Sequence, residues 1–409
     1  MKRQSGFTLL ETLVATTIML VTVGAVMGAL TDATHATEAV SLMADTQENL
    51  RAGLNYMAAD LKQAGNGIPQ AGISIPNTGG ASPTSAVVRP GPYTSPATSF
   101  GNFPTTWTVL PAITNGYQMG PTTTTSGVPT DMVTVLYADT SLVDANGHWL
   151  NEFPITGSSG TAGCASGNAN PNPQGSITST GSGTSAVYKI TFDSSCMIIN
   201  NGNTGLQPGD LIMLQNNNTT GSASMTASDA DVDNTTAGNN CIMTVTNVNQ
   251  AGNYVTFSPM DAFGLNSSGK GYGTIANIQS PAGSGTYPVT TATRVWMITY
   301  YIDNSNPSRP QLMRQVNLNT PKAVGDEMEH MQIFYDVLNA GSSPVTVTAE
   351  VENPTLAQLP YIRDAYILLY ARSDDPYSVT HAYVRNNLET VVSIRGLDFY
   401  NEFTSSETN

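Results

Sequence analysis

From Thr12 to Leu30 the chain runs 19 residues without a charge or a proline. Coiled as a helix at about 1.5 Å per residue, such a run spans about 28 Å, close to the roughly 30 Å of a bilayer core. Lys2 and Arg3 precede it and the next Lys or Arg is Arg51. That asymmetry places the N-terminus in the cytoplasm and everything after Leu30 outside. No small-residue cleavage site of the A-x-A kind follows Leu30, so the apolar helix is expected to stay in the mature protein.

What lies outside is large and weakly charged. The chain has 409 residues, enough for one to three domains, and only 11% of them are charged, against roughly 25% in an average soluble domain. Its net charge of -15 repels phosphate backbones, which excludes nucleic acid as a direct ligand of the exported part. Three cysteines, Cys164, Cys196 and Cys241, are too few for a disulfide scaffold and show no C-x-x-C spacing. Of the three pairings, Cys196 with Cys241 is favoured, because each adjoins an apolar strand-like run while Cys164 sits in a Gly/Ser/Asn loop.

The leader MKRQSG is short, basic and ends in Gly6, and the apolar run opens at Phe7 with one acid inside it, Glu11. An acid at the centre of a membrane helix costs about 2.5–3.5 kcal/mol on insertion scales and marks function. Cleavage between Gly6 and Phe7 creates an α-amine four residues before Glu11, a charge of the sign that a buried carboxylate requires. The bland alternative is a plain anchor whose Glu11 snorkels to the interface. The string Gly6-Phe7-Thr8-Leu9-Leu10-Glu11 resembles the class III signal of type IV prepilins and type II secretion pseudopilins. The resemblance implies a prepilin peptidase that cuts after Gly6 and N-methylates Phe7, and a Glu11 that pairs with the terminal amine of a neighbouring subunit. Gly24 and Gly28 allow either close helix packing or local flexibility.

Beyond the membrane, Met43, Leu50, Leu54, Met57, Leu61 and Ala64 form one amphipathic stripe, which predicts a continuous helix from Phe7 to Ala64. Gly65-Asn66-Gly67 and Pro69 end it. Residues 1–6 are thus a leader and residues 7–65 a helix, transmembrane over 7–30 and amphipathic over 31–65. Residues 66–409 form an exported β-rich domain, with a loop-rich insert over 66–290 and a C-terminal sheet over 291–409. The fold class is α+β and pilin-like, a long helix packed on a large antiparallel β-rich body with long loops.

Within the insert, TDMVTVLYAD (130–139) and LQPGDLIMLQ (206–215) read as strands. Phe153 to Tyr188 carries no charge and reads as an extended surface loop rather than core. Toward the C-terminus, RVWMITYYID, PQLMRQVNL, HMQIFYDV, PVTVTAEV, AYILLYAR and ETVVSIRGLDFY are strand-like runs of an antiparallel sheet. Their order, together with LRAGLNYMAADLKQAG in the helix, resembles PilW-type minor pilins. That resemblance implies a non-enzymatic subunit of a type IV pilus acting in assembly initiation or a tip complex. Its implied partners are prepilin peptidase, other minor and major pilins, the inner-membrane assembly platform and a tip adhesin. The implied location is the inner membrane with a periplasmic body, and the pilus surface after assembly. Two alternatives stay open: a J-type pseudopilin of type II secretion, and a pilus-mounted adhesin using aromatics such as Trp107, Trp149 and Tyr272.

Signatures of chemistry are sparse. No G-x-S-x-G or H-E-x-x-H is present, and Gly264 to Lys270 mimics a phosphate loop without the Ser or Thr that ligates magnesium. No cofactor is expected beyond calcium, for which Asp229, Asp231 and Asp233 offer alternate carboxylates. Asn234 and Asn240 stand where a calcium loop wants glycine and glutamate, which favours a solvated acidic loop. His330 neighbours Glu329, but strand alternation is expected to send the two to opposite faces.

Overall fold

The computed structural model describes residues 8–76, 87–91, 102–104, 106–122, 127–139, 154–156, 175–181, 185–192, 199, 205–216, 240–267, 273–275, 290–339 and 346–397. Helix α1 covers Leu9–Gln63, 55 residues and about 82 Å of rise. Its end follows the expected signals: Lys62 lies in the last turn, Ala64 caps it, and Gly65 turns the chain at φ +80°, a conformation open to glycine at little cost. The Gly65 N–H then donates to the Leu136 carbonyl at 3.0 Å, and the Asn66 carbonyl accepts from Ala138 at 2.8 Å. The helix exit is therefore stitched to the body.

Two short strands, β1 (Ile73–Ser74) and β2 (Val109–Leu110), pair by themselves. Among the described residues, twelve strands make the larger sheet. Its early members are β3 (Ile113–Gly116), β4 (Met132–Ala138), β5 (Pro154–Thr156), β6 (Gly175–Thr180), β7 (Val187–Phe192) and β8 (Leu211–Asn216). The rest are β9 (Asn240–Thr244), β10 (Asn247–Asn249), β11 (Tyr254–Phe257), β12 (Thr290–Asp303), β13 (Gln311–Val316) and β14 (Lys322–Asp326). A second sheet, ordered β16-β15-β17-β18, comprises β15 (Met328–Asn339), β16 (Thr346–Val351), β17 (Ile362–Pro376) and β18 (Tyr383–Ser393). Among the described residues every pairing is antiparallel except the short β5–β6 contact. The expected α+β, pilin-like class holds.

The long strand β12 organises the large sheet. It pairs with β8 through Thr290 to Val295 and with β4 through Val295 to Tyr300, while Ile298 to Asp303 pair with β13. Strands from the loop-rich stretch and from the C-terminal part therefore share one sheet.

Against both sheets lies the second half of α1. Leu50, Leu54, Met57 and Leu61 are buried with Val133 and Val135 of β4, Ile298 and Tyr300 of β12, and Ile333, Ile367 and Leu369 of the smaller sheet. Burial of each such side chain stabilises by about 1.5–3 kcal/mol. Gly53 permits the close approach: a Cβ there would stand 2.9 Å from Leu312 Cδ2. Met43, the first residue of the stripe, stays exposed.

A second core lies inside the large sheet, built from Ile177, Tyr188, Ile190, Ile212, Met243, Val255 and Phe257. Ile177 and Tyr188 fall in the stretch expected to be a surface loop, so that expectation is corrected: β6 and the start of β7 form there. The reason is local. In GSITST only Ile177 is apolar, and its β-branched threonine neighbours supply the extended propensity without adding hydrophobicity.

Candidate functional site

The most extensive exposed apolar surface among the described residues is the free half of α1. Leu9, Leu10, Leu13, Ile18, Met19, Leu20, Val21, Val26 and Leu30 are all exposed, in a helix whose most apolar 18-residue window has a mean hydropathy of 2.2 and no buried residue. Water does not tolerate a stripe of this size on a soluble monomer, so a bilayer or other apolar helices must cover it. Gly24 and Gly28 meet nothing within 4 Å.

At its start stands a capping box. The Thr8 hydroxyl accepts from the Glu11 N–H at 3.3 Å, while Glu11 Oε2 accepts from both the Thr8 N–H and the Thr8 hydroxyl at 3.0 Å. This arrangement ties down donors that a helix N-terminus leaves open. T-x-x-E was legible as a cap in the sequence, yet Glu11 draws attention first as a charge out of place. No cation among the described residues pairs with Glu11, whose carboxylate folds back onto Thr8. Gly6 and Phe7 lie outside the described residues.

The other end of the helix is locked to the body by charge. Asp60, 5% exposed, accepts from Arg314 Nε at 2.7 Å and from Arg314 Nη2 at 3.1 Å. Tyr300 donates its hydroxyl to Asp60 Oδ2, and Tyr137 donates to Oδ1 at 3.2 Å. Burial works against the Arg314 charge, but the Asp60 carboxylate outweighs it and holds the guanidinium pKa above the ordinary arginine value. Burial and the adjoining Asp60 charge both raise the Tyr300 and Tyr137 hydroxyls. Midway along the helix, Glu38 accepts from the Ser378 backbone N–H at 3.1 Å and from its hydroxyl, which fixes the tip of the β17–β18 hairpin to α1.

The remaining residues singled out in the sequence separate clearly. Asp229, Asp231 and Asp233 lie outside the described residues, as do Cys164, Cys196, Trp149 and Tyr272. Cys241 is a free thiol, fully buried in the second core, and burial raises its pKa. Its expected partner Cys196 lies outside the described residues, and Cys241 packs with Leu214 of β8 and Met243 of β9. Trp107 packs against core residues and lies 6.0 Å from the Phe103 ring.

Residues 1–27 match the family model for the prokaryotic N-terminal methylation motif. No curated protein and no solved structure matches the chain. The motif and the exposed apolar helix that continues from it support a type IV prepilin-like protein.

Proposed function

We propose that the chain is a PilW-type minor pilin, a structural subunit that works in initiating a type IV pilus or in its tip complex. The observation that carries this reading is continuity: the helix that bears the methylation motif runs unbroken into the core of the exported body. In this reading, prepilin peptidase cuts after Gly6 and methylates Phe7. The new amine and Glu11 of adjacent subunits then pair, which compensates the desolvation of both charges among apolar helices. The apolar stripe passes from bilayer to filament core without crossing water, and the Asp60 cluster carries the body along with it.

Intact-mass measurement on protein from cells with and without prepilin peptidase tests the reading. Loss of residues 1–6 with gain of one methyl group, dependent on the peptidase, is the expected result. An unprocessed N-terminus in both strains overturns it. Recovery of the processed chain in sheared pili, rather than with a secretion system, then separates the minor pilin from a J-type pseudopilin.

A further inference from the structure

The smaller sheet turns one face to α1 and the other away from it. Met331, Ile333, Ile367, Leu369 and Val392 belong to the core shared with the helix. Strand alternation sends His330, Gln332, Tyr370 and Asn387 to the opposite face. There an open pocket of about 440 Å³ crosses the sheet, inside the roughly 300–1,000 Å³ range of small-molecule sites.

Its lining exposes mostly apolar surface, with a few polar groups gathered near one ring. The Tyr370 ring, half-buried, lies 5.7 Å from the His330 ring, and Gln332 and Asn387 line the same pocket. A β-bulge between Met328 and His330 breaks the alternation, so that Glu329 and His330 both line the pocket, against the sequence expectation. The Glu329 carboxylate accepts from Arg385 Nε at 2.8 Å and from Arg385 Nη2 at 3.2 Å, with Arg372 Nη1 at 3.7 Å. Arg372 is in turn paired with Glu327 at 3.1 Å. Charge in and beside the pocket is thus balanced, and burial keeps His330 below its ordinary pKa, on the neutral side.

This lining selects by chemistry. A charged ligand finds no uncompensated charge to meet, and a wholly apolar one strips water from the amides and the ion pair without replacing it. Amides, a guanidinium fork and a carboxylate together offer closely spaced donors and acceptors, and the tyrosine ring offers one flat apolar surface with a polar tip. A ring bearing several neutral hydroxyls along its edge and C–H bonds on its face satisfies both. We infer that the pocket across β15, β17 and β18 binds an uncharged saccharide unit, with Tyr370 as its platform. Because α1 occupies the other face of the sheet, the pocket remains open when the helix is covered by lipid or by other helices. The inference does not depend on the minor-pilin reading.

The test uses the full chain in a zwitterionic detergent without a sugar headgroup. Binding of the methyl glycosides of glucose, galactose, mannose and N-acetylglucosamine is measured by saturation-transfer NMR, alongside an array of neutral, sialylated and sulfated glycans. At least one neutral sugar is expected to bind. Tyr370→Ala and Asn387→Leu are each expected to weaken it about tenfold, the factor equivalent to about 1.4 kcal/mol. Asn387 is exposed, so its variant keeps the wild-type melting temperature and serves if Tyr370→Ala fails to fold. Binding to no neutral sugar, binding to anionic glycans alone, or neutral-sugar binding that survives Asn387→Leu unchanged overturns the inference.

Discussion

Arg314 on β13 holds both oxygens of Asp60 on α1, at 2.7 and 3.1 Å, across 254 residues of sequence. The carboxylate also takes the hydroxyls of Tyr300 and Tyr137, so removing Arg314 leaves a buried carboxylate without its cation, and removing Asp60 leaves a partly buried guanidinium and two hydroxyls unmatched. Asp60→Leu and Arg314→Leu should each cost about 3–5 kcal/mol of unfolding free energy, and the double variant less than the sum of the two. Denaturant titration of the full chain in detergent gives the four values of the cycle. Additive losses would show that the pair does not act as a unit.

How much of this was legible in the sequence follows from range. The helix end was readable because Gly65, Asn66 and Gly67 act locally, and the stripe from Leu50 to Leu61 was readable because its partners need only be apolar. Asp60 and Arg314 carry no local signal of each other, since pairing over such a distance depends on the register of β12, β13 and the helix. The bulge at Met328 was hidden for a related reason: one extra residue in a strand changes which side chains share a face without changing composition. Ile177 shows a different limit, a lone buried apolar residue on a strand whose Thr178, Ser179 and Thr180 are exposed. At the N-terminus, the motif around Gly6 and Glu11 was readable because it is a contiguous string.

The two halves of α1 should respond oppositely to the same truncation. Leu54 is 5% exposed in the core and Leu20 is 78% exposed on the apolar stripe. Leu54→Ala should destabilise the fold by about 2–5 kcal/mol. Leu20→Ala should leave the body's unfolding unchanged and instead weaken membrane retention slightly, by about 2 kcal/mol or less of transfer free energy. Melting of the detergent-solubilised protein, read beside carbonate extraction from membranes, separates the two effects; equal losses of melting temperature would contradict the division.

Acid should weaken the smaller sheet through His330. Burial depresses its folded-state pKa below the ordinary 6.5, so the unfolded chain binds the proton first as pH falls. The stabilising contribution is intact above about pH 6.5 and is lost as pH drops toward the folded value. Asp131 and Asp210 act in the other direction at lower pH, since burial raises both and lets the folded chain take up protons first. Between about pH 7.5 and about pH 5.5 the melting temperature should therefore fall more steeply in the wild type than in His330→Gln. Parallel slopes would place the acid sensitivity elsewhere.

In the proposed assembly Glu11 has two separable duties, and two substitutions distinguish them. As the third residue of the capping box it accepts from the Thr8 N–H, a bond that glutamine also makes at that position. As a charge it answers the amine that cleavage would expose, which glutamine does not. Glu11→Gln should keep the helix start and be processed as the wild type is, yet enter sheared pili at least about tenfold less, since a buried amine without its carboxylate costs well over 1.4 kcal/mol. Thr8→Ala should do the reverse: loss of the N-cap costs about 1 kcal/mol of helix stability and leaves the charge in place. If Glu11→Gln assembles normally while Thr8→Ala does not, the carboxylate serves the helix and not the neighbouring subunit, and the ion-pair step of the proposed assembly falls.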